Sequence, residues 1–394
     1  MPPHDGLTHL KQYDIKDSNV ELIGTEIDHR VKHKSAQAEP AWNNGKIGQQ
    51  AGLYVWRIED FEVIPWPEQR VGEFYDGDSY IVLHSYKVGE KEGRERLVHD
   101  IFFWLGSKTS QDEAGTAAYK TVELDEFLNG VATQHREVQE QLSDEFLAIF
   151  PRIKILSGGV QSGFHHVDPN AAPKEITTLL RVFKYPTAGH AHSTVVHEVK
   201  PTWESLDEDD VFILDKGDKI WVWQGKKCSP MEKAKAAQVV SDLTLAKHID
   251  VEVLSQTEAR SAVVVKLLGG GNTTQTDFKA ARPVSSRVSG PVAGDQPQKL
   301  FRLSDAEGTL SFSLVKDRKP IHIADFDTDD VFLLDIGRAI WVWRGLGASQ
   351  RERAMWLNVA HSYVHQIHDG PKTTPIASVI EGNESPAFFK AIAV

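Results

Sequence analysis

The sequence predicts an α+β fold of three tandem repeats, each a mixed central β-sheet flanked by a long and a short helix. Two observations carry this expectation. First, one pattern occurs three times: an acidic residue opens an apolar run, a Trp-bearing run follows, and a Ser-x-x-Glu segment begins a helical pattern. The copies open at Gly77-Asp78-Ser79-Tyr80, Asp209-Asp210-Val211-Phe212 and Asp329-Asp330-Val331-Phe332. They continue through Trp104-Leu105-Gly106, Trp221-Val222-Trp223 and Trp341-Val342-Trp343 to Ser110/Glu113, Ser229/Glu232 and Ser349/Glu352. Internal repetition of this kind settles architecture before any single motif is weighed. Second, strand and helix patterns alternate within each copy, which is the order of a sheet with helices layered on it.

Taken along the chain, residues 1–50 form an N-terminal extension. Ile23, Ile27 and Val31 stand at helical spacing ahead of Pro40, and Ala41-Trp42 offers an anchor onto the first repeat. The first repeat, 51–166, carries strands at 53–58, 80–83 and 101–104, then a helix opening at Ser110. Along that helix Ala114, Ala117, Thr121, Leu124 and Leu128 recur at steps of three and four, one stripe for packing on the sheet. Tyr119 and Val122 fall off the stripe. Outward apolar residues are ordinary on a soluble helix and are also what a contact surface needs, and the pattern alone leaves both readings open. The second repeat, 176–270, opens with a strand at 178–183 and closes with an apolar run at 262–268 read as a strand. A stretch rich in Gly, Ser, Thr and Pro at 271–297 reads as a linker, and the third repeat, 298–394, opens with a strand at 300–303.

Composition narrows the function classes. With 40% apolar residues, 10 Trp and 17 Phe in 394 residues, each repeat can bury its own core. No run approaches the roughly 18 apolar residues of a membrane span, and no secretory leader is visible. A lone Cys228 excludes an internal disulfide and fits a reducing, cytoplasmic setting, so the Asn-x-Ser/Thr triplets at Asn272 and Asn383 read as chance matches. A net charge of −12 argues against nucleic acid as partner. The histidine pairs His165/His166 and His190/His192 lack zinc-site context and read as surface residues. No nucleophile elbow, phosphate loop or partnered Cys/His pattern is present, so no enzyme is expected. Carboxylate pairs can hydrolyse glycosides, but a pair repeated three times implies three equal sites rather than one cleft.

The repeated acids admit two readings. Each Ser-x-x-Glu is a capping box by sequence, strengthened at the second copy by Pro230 at the first helical position. Against this, Asp78, Asp210 and Asp330 sit where strands are expected, a poor place for Asp, and Asp209-Asp210 and Asp329-Asp330 place like charges side by side. A bound cation would compensate them, and calcium suits mixed carboxylate and carbonyl oxygens in loose geometry. No EF-hand loop is present.

At these residues the chain resembles the gelsolin family in its three-repeat severin/fragmin form. The strongest marks lie in the first repeat: Gly77-Asp78-Ser79-Tyr80, Trp104-Leu105-Gly106, Ser110-Gln111-Asp112-Glu113, Leu128-Asn129-Gly130 and Gln134-His135-Arg136-Glu137-Val138-Gln139. The resemblance implies gelsolin-like repeats and a calcium-regulated protein that severs actin filaments and caps their barbed ends. It places one calcium site on the Gly77 carbonyl, Asp78, Glu113 and the Val160 carbonyl. A second, shared with actin, falls on Asp125 and the carbonyls of Gly130 and Ala132. The later repeats would use the Asp209 carbonyl, Asp210 and Glu232, and the Asp329 carbonyl, Asp330 and Glu352. The resemblance also turns the helix face around Tyr119 and Val122, with Asp125, toward actin monomers and filaments. It implies a monomer in the cytoplasmic actin cytoskeleton. The basic tracts of phosphoinositide-responsive relatives are thin here, at 151–158 and 181–186, which implies weak or absent phosphoinositide binding. Capping without severing, and a calcium-binding scaffold without an actin role, are the rival expectations.

Overall fold

The computed structural model describes residues 38–89, 95–159, 177–185, 194–245, 249–271, 278–284, 298–366, 368 and 373–392. The expected helix around Ile23–Val31, the Val160 carbonyl, Asn272 and both histidine pairs lie outside the described residues. The chain divides into two compact units, one built from the described parts of 1–69, 79–149 and 290–394, the other from those of 70–78 and 150–289.

The first stretch contributes β1 (Gly52–Glu59), β2 (Glu62–Pro65), β3 (Glu73–Tyr75), β4 (Ser79–Gly89), β5 (Glu95–Leu105), helix α1 (Gln111–Phe127), β6 (Thr133–Val138), helix α2 (Asp144–Ile149) and β7 (Ile153–Leu156). Next come β8 (Thr178–Lys184), β9 (Thr194–Val199), β10 (Val211–Asp215), β11 (Lys219–Gln224), helix α3 (Pro230–Leu245), β12 (Asp250–Ser255) and helix α4 (Ala262–Leu267). The last stretch adds β13 (Lys299–Ser304), β14 (Ser311–Asp317), β15 (Val331–Asp335), β16 (Ile340–Arg344), helix α5 (Gln350–Gln366), β17 (Ile376–Ile380) and helix α6 (Pro386–Ala391).

The central strands β10 and β15 each open with four buried apolar residues because both faces are covered. A strand turns successive side chains to opposite sides. In β10, Val211 and Ile213 pack with Ala236, Val239 and Val240 of α3, while Phe212 and Leu214 pack with Val264 and Val265 of α4. In β15, Val331 and Leu333 meet Val359, Ala360 and Tyr363 of α5, while Phe332 and Leu334 meet Phe388 and Ala391 of α6. In the first repeat Ile81, Leu83, Ile101 and Phe103 receive Ala117 and Leu124 of α1, and Phe102 meets Phe146 of α2 from the other side. Each repeat is therefore a mixed sheet between a long and a short helix. The stripe expected on α1 buries Ala117, Thr121 and Leu124, with Leu128 just past its end. Trp42 is fully buried in the same core, edge-on to Trp56.

Two expectations are corrected. The run at 262–268 is a helix, not a strand: Val264, Val265 and Leu268 stand at helical spacing and fill the core beside Trp223. Burial of that face overrides the strand preference of a Val-rich run, and Gly269, at φ 89°, ends the helix in the left-handed conformation. The acids Asp78, Asp210 and Asp330 are not on strands either; each is the residue immediately before one, at a turn.

In the first unit ten strands form one sheet, ordered β14-β13-β15-β16-β17-β6-β5-β4-β1-β2. The first and third repeats fuse at β6 and β17, antiparallel, with Ile376 opposite Arg136, Ala377 opposite His135 and Ser378 opposite Gln134. In the second unit seven strands are ordered β12-β11-β10-β8-β9-β7-β3, so two strands from the first repeat's stretch of chain extend the second repeat's sheet.

Candidate functional site

The third repeat shows the local logic of the acidic turns. In Asp327-Thr328-Asp329-Asp330, the Asp329 N–H donates to Asp327 Oδ1 at 3.2 Å and the Asp330 N–H to the Asp327 carbonyl at 3.3 Å. This turn directs Asp330 inward, leaving it 2% exposed, and leaves Asp329 in solvent. Gly345 closes against it so tightly that a Cβ would stand 2.1 Å from the Thr328 carbonyl oxygen. The second repeat builds the same turn, with the Asp209 N–H on Asp207 Oδ1 at 2.8 Å and Asp210 fully buried.

Facing these turns, both capping boxes are formed. Ser229 N–H donates to Glu232 Oε2 at 2.7 Å while Glu232 N–H donates to Ser229 Oγ at 3.3 Å. Ser349 and Glu352 repeat the exchange at 2.9 and 3.2 Å. Each glutamate keeps a second oxygen for the end of the opening strand: Glu232 Oε1 accepts from Lys184 N–H at 2.9 Å and Glu352 Oε1 from Asp305 N–H at 2.7 Å. Burial, with Asp305 and Asp330 nearby, pushes the Glu352 carboxyl above its ordinary range, against the hydrogen bonds from the Asp305 and Ser349 amides.

The buried aspartates are neutralised by arginines that the sequence reading missed. Arg181 Nε donates to Asp210 Oδ2 at 2.6 Å, and Arg282 Nη2 donates to Asp210 Oδ1 at 2.6 Å. In the third repeat Arg302 pairs with Asp330. The available signal was the repeat itself: Arg181 lies opposite Phe212 and Arg302 opposite Phe332, the same register position in both sheets. Arg282 carried no such signal, because it comes from the stretch read as linker. Residues 278–284 instead pack on the second repeat, with Phe278 buried against Trp223 and the Lys279 backbone in an isolated antiparallel β-bridge with Asp207.

This arrangement suits a hard cation. The donors are all oxygen, and a positive guanidinium already stands against the buried carboxylate where an ion would be needed. Among the described residues no group of three or more His, Cys, Asp or Glu is gathered as a metal cluster, so an ion would enter by taking an arginine's place.

Of the first repeat's expected set, Gly77 and Asp78 lie in the second unit and Glu113 in the first. Asp78 is fully buried, and a Cβ on Gly159 would come within 2.4 Å of its Oδ1. Gly77 N–H donates to the Gly158 carbonyl at 2.7 Å. Glu113 Oε2 accepts from Thr109 Oγ1 at 3.0 Å, and its N–H caps on Ser110 Oγ at 3.2 Å. Thr109 is in turn 2.7 Å from Ser79 Oγ. Asp125 is 5% exposed, its Oδ1 accepting from the Ala132 N–H at 2.9 Å and its Oδ2 from Gln134 Nε2 at 2.7 Å. Burial raises its pKa, opposed by the charge of Arg344 and by those two hydrogen bonds. Gly130, at φ 69°, turns the chain after α1, its N–H on the Asp125 carbonyl at 2.8 Å. On α1 itself Tyr119 is 48% exposed and faces outward, Val122 is half-buried, and Asp125 faces in.

The family model described as gelsolin repeat matches residues 65–147, 192–261 and 315–389. The chain belongs to the gelsolin family. "Gelsolin-like protein 1" of Lumbricus terrestris is 39% identical over 98% of this chain and 99% of its own length. "Gelsolin-like protein 2" of the same species is 37% identical over the same shares. "Severin" of Echinococcus granulosus is 33% identical, again over 98% and 99%. The three gelsolin repeats thus extend as a set across whole relatives, and the acidic turn facing a capped helix recurs in the second and third of them.

Proposed function

We propose that this protein is a calcium-regulated actin-binding protein that severs filaments and caps their barbed ends in the cytoplasm. The observation that carries the reading is α1 of the first gelsolin repeat: a helix anchored by its Ala117–Leu124 stripe that presents Tyr119 outward, with Val122 half-buried one turn on. An outward apolar flank on a rigid helix is the element that inserts into a partner's groove. The similarity to a severin supports actin as that partner.

Calcium would be held by Asp210 with Glu232 and by Asp330 with Glu352, joined by the Asp209 and Asp329 carbonyls. Asp78 and Glu113 carry the same expectation for the first repeat, and Asp125 with the Gly130 and Ala132 carbonyls for the site shared with actin. When bound, the ion supplies positive charge that these carboxylates otherwise take from arginine. The chain's own residues do the rest: Tyr119 and Val122 wedge between actin subunits, and the second repeat holds the filament's side. Severing then replaces protein–protein contacts and breaks no covalent bond, so no catalysis is involved. The fused sheet of the first and third repeats supports a closed, calcium-free state, since Arg344 of the third repeat brings its charge to Asp125 of the first.

Phosphoinositide control is expected to be weak. Arg152 is paired with Asp242, Lys154 with Glu73 and Arg181 with Asp210, which leaves few free cations in the relevant tracts. Among the described residues no helix is long and apolar enough to cross a membrane.

Direct imaging of labelled filaments across free calcium, with wild type and Asp78→Asn, tests the reading. Breaks within filaments that require calcium, and that need more of it in the variant, are expected. Protection of ends without internal breaks would leave capping alone, and no calcium-dependent actin binding would overturn the proposal.

A further inference from the structure

We propose that Arg282 is a built-in counter-cation that occupies the ion's place in the second repeat and sets the calcium concentration at which that repeat fills. The inference rests on the calcium reading above and deepens it. Asp210 is fully buried, and an unpaired buried carboxylate would be strongly unfavourable. Two arginines satisfy it, and they are not equivalent. Arg181 has a side chain only 2% exposed, and its Nη1 is fastened to the carbonyls of Ala280 and Ala281 at 3.1 and 2.8 Å. It cannot leave without unpacking the strand.

Arg282 is held at its rim. Its side chain is 32% exposed, and its remaining anchors are a long 3.4 Å hydrogen bond to the Lys184 carbonyl and the face of Phe183, 5.6 Å away. It lines an open cleft with Tyr185, Asp209, Ser229 and Glu232. Burial disfavours its charge, but the hydrogen bond and charge of Asp210, then the charges of Glu232 and Asp207, raise its pKa above the ordinary value. The guanidinium therefore lies in the combined field of the two carboxylates assigned to the ion. Phe278, four residues earlier, is 5% exposed in the core, so the base of this segment stays fixed while the arginine swings out. The third repeat differs in number: among the described residues Arg302 is the only cation paired with Asp330, so one arginine there stands where the second repeat has two.

Removing a positive charge that competes for the same carboxylates should tighten ion binding by about tenfold or more at ordinary salt. The test is calorimetric titration of the full-length protein with calcium, comparing wild type, Arg282→Gln, Arg282→Lys and Glu232→Gln, each checked for unchanged circular dichroism. Glu232→Gln identifies the second repeat's site as the one it abolishes. The expected result is that Arg282→Gln fills this site at about one tenth of the wild-type calcium concentration, while Arg282→Lys, which keeps the charge, stays close to wild type. If Arg282→Gln binds at this site with wild-type or weaker affinity, the counter-cation role is overturned and the calcium reading stands. If Glu232→Gln removes no site, the calcium reading of this repeat fails instead.

Discussion

Ala377 of the third repeat lies directly opposite His135 of the first, in the short antiparallel register that makes their two sheets one. His135 is 2% exposed, stacked on Phe102 at 4.2 Å and edge-on to Trp341 at 5.9 Å. The seam is thus packed as well as hydrogen-bonded, yet among the described residues its strand register holds only three residue pairs. At its end Arg338 pairs with Asp144, and Gln141 bonds the Arg338 carbonyl at 3.4 Å and Thr373 at 3.1 Å.

So short a junction should open when one end is made repulsive. Arg338→Glu sets a carboxylate against Asp144 outside either repeat's core. The expected outcome is faster proteolysis in chelator, with the wild-type rate recovered in Asp144→Lys/Arg338→Glu. If the seam, by bringing Arg344 to Asp125, is what withholds the actin-shared site, the single variant also binds actin monomers at lower calcium, as read by pull-down. Unchanged proteolysis would mean that the seam bears little of the closed state's stability.

Tyr119 projects from a helix whose packing it does not share. Tyr119→Ala should leave the melting temperature within a degree or so, as substitutions at exposed positions usually do. Actin binding should weaken by about tenfold to a hundredfold, in the range of an aromatic anchor at an interface centre. Lys108→Ala, a charge change near the same helix, serves as comparison. Equal affinities for Tyr119→Ala and wild type would remove the helix from the contact.

The repeat was legible because its signal is periodic: acid, Trp strand and Ser-x-x-Glu helix return in order, and alternation along β10 and β15 follows from having a helix on each side. The run at 262–268 was misread because valines favour strands locally and only the surrounding core reveals the helix. The acids were located, but their partners were not. Sequence spacing shows which residues share an element; it does not show that Arg181 reaches Asp210 from a neighbouring strand, or that Arg282 returns from a stretch whose composition reads as linker. Glu232 and Glu352 cap their serines and bind a neighbouring strand end at once, so capping and ion binding compete for oxygens on the same side chains.

Trp42 ties the chain ahead of the first repeat to its core. It is fully buried against Trp56, and Glu39 beside it pairs with Lys120 of α1 at 2.6 Å. Trp42→Ala should cost about 3–5 kcal/mol, as other large-to-small core changes do. Urea unfolding followed by tryptophan fluorescence measures it. A loss under about 1 kcal/mol would show that the core closes without this residue.

Glu137 makes the stability of the fold depend on pH. Burial raises its carboxyl to about 7, against hydrogen bonds from Ser143 Oγ at 2.6 Å and Ser143 N–H at 2.8 Å and the charge of His135. Between the ordinary carboxyl value of about 4.5 and the folded value of about 7, the native state holds a proton that the unfolded chain has released. Stability from this group is therefore greatest below about pH 4.5, falls as pH rises through that window, and levels off above about 7, by a few kcal/mol at most. Glu137→Gln mimics the protonated form, since its amide can donate to Ser143 Oγ while its carbonyl accepts from the Ser143 N–H. Melting curves of both proteins from pH 5 to 8 make the comparison. The variant should gain on wild type steadily as pH rises, by several degrees at the top of the range. Parallel curves would mean that Glu137 ionises with little penalty and that the pH dependence of this fold arises elsewhere.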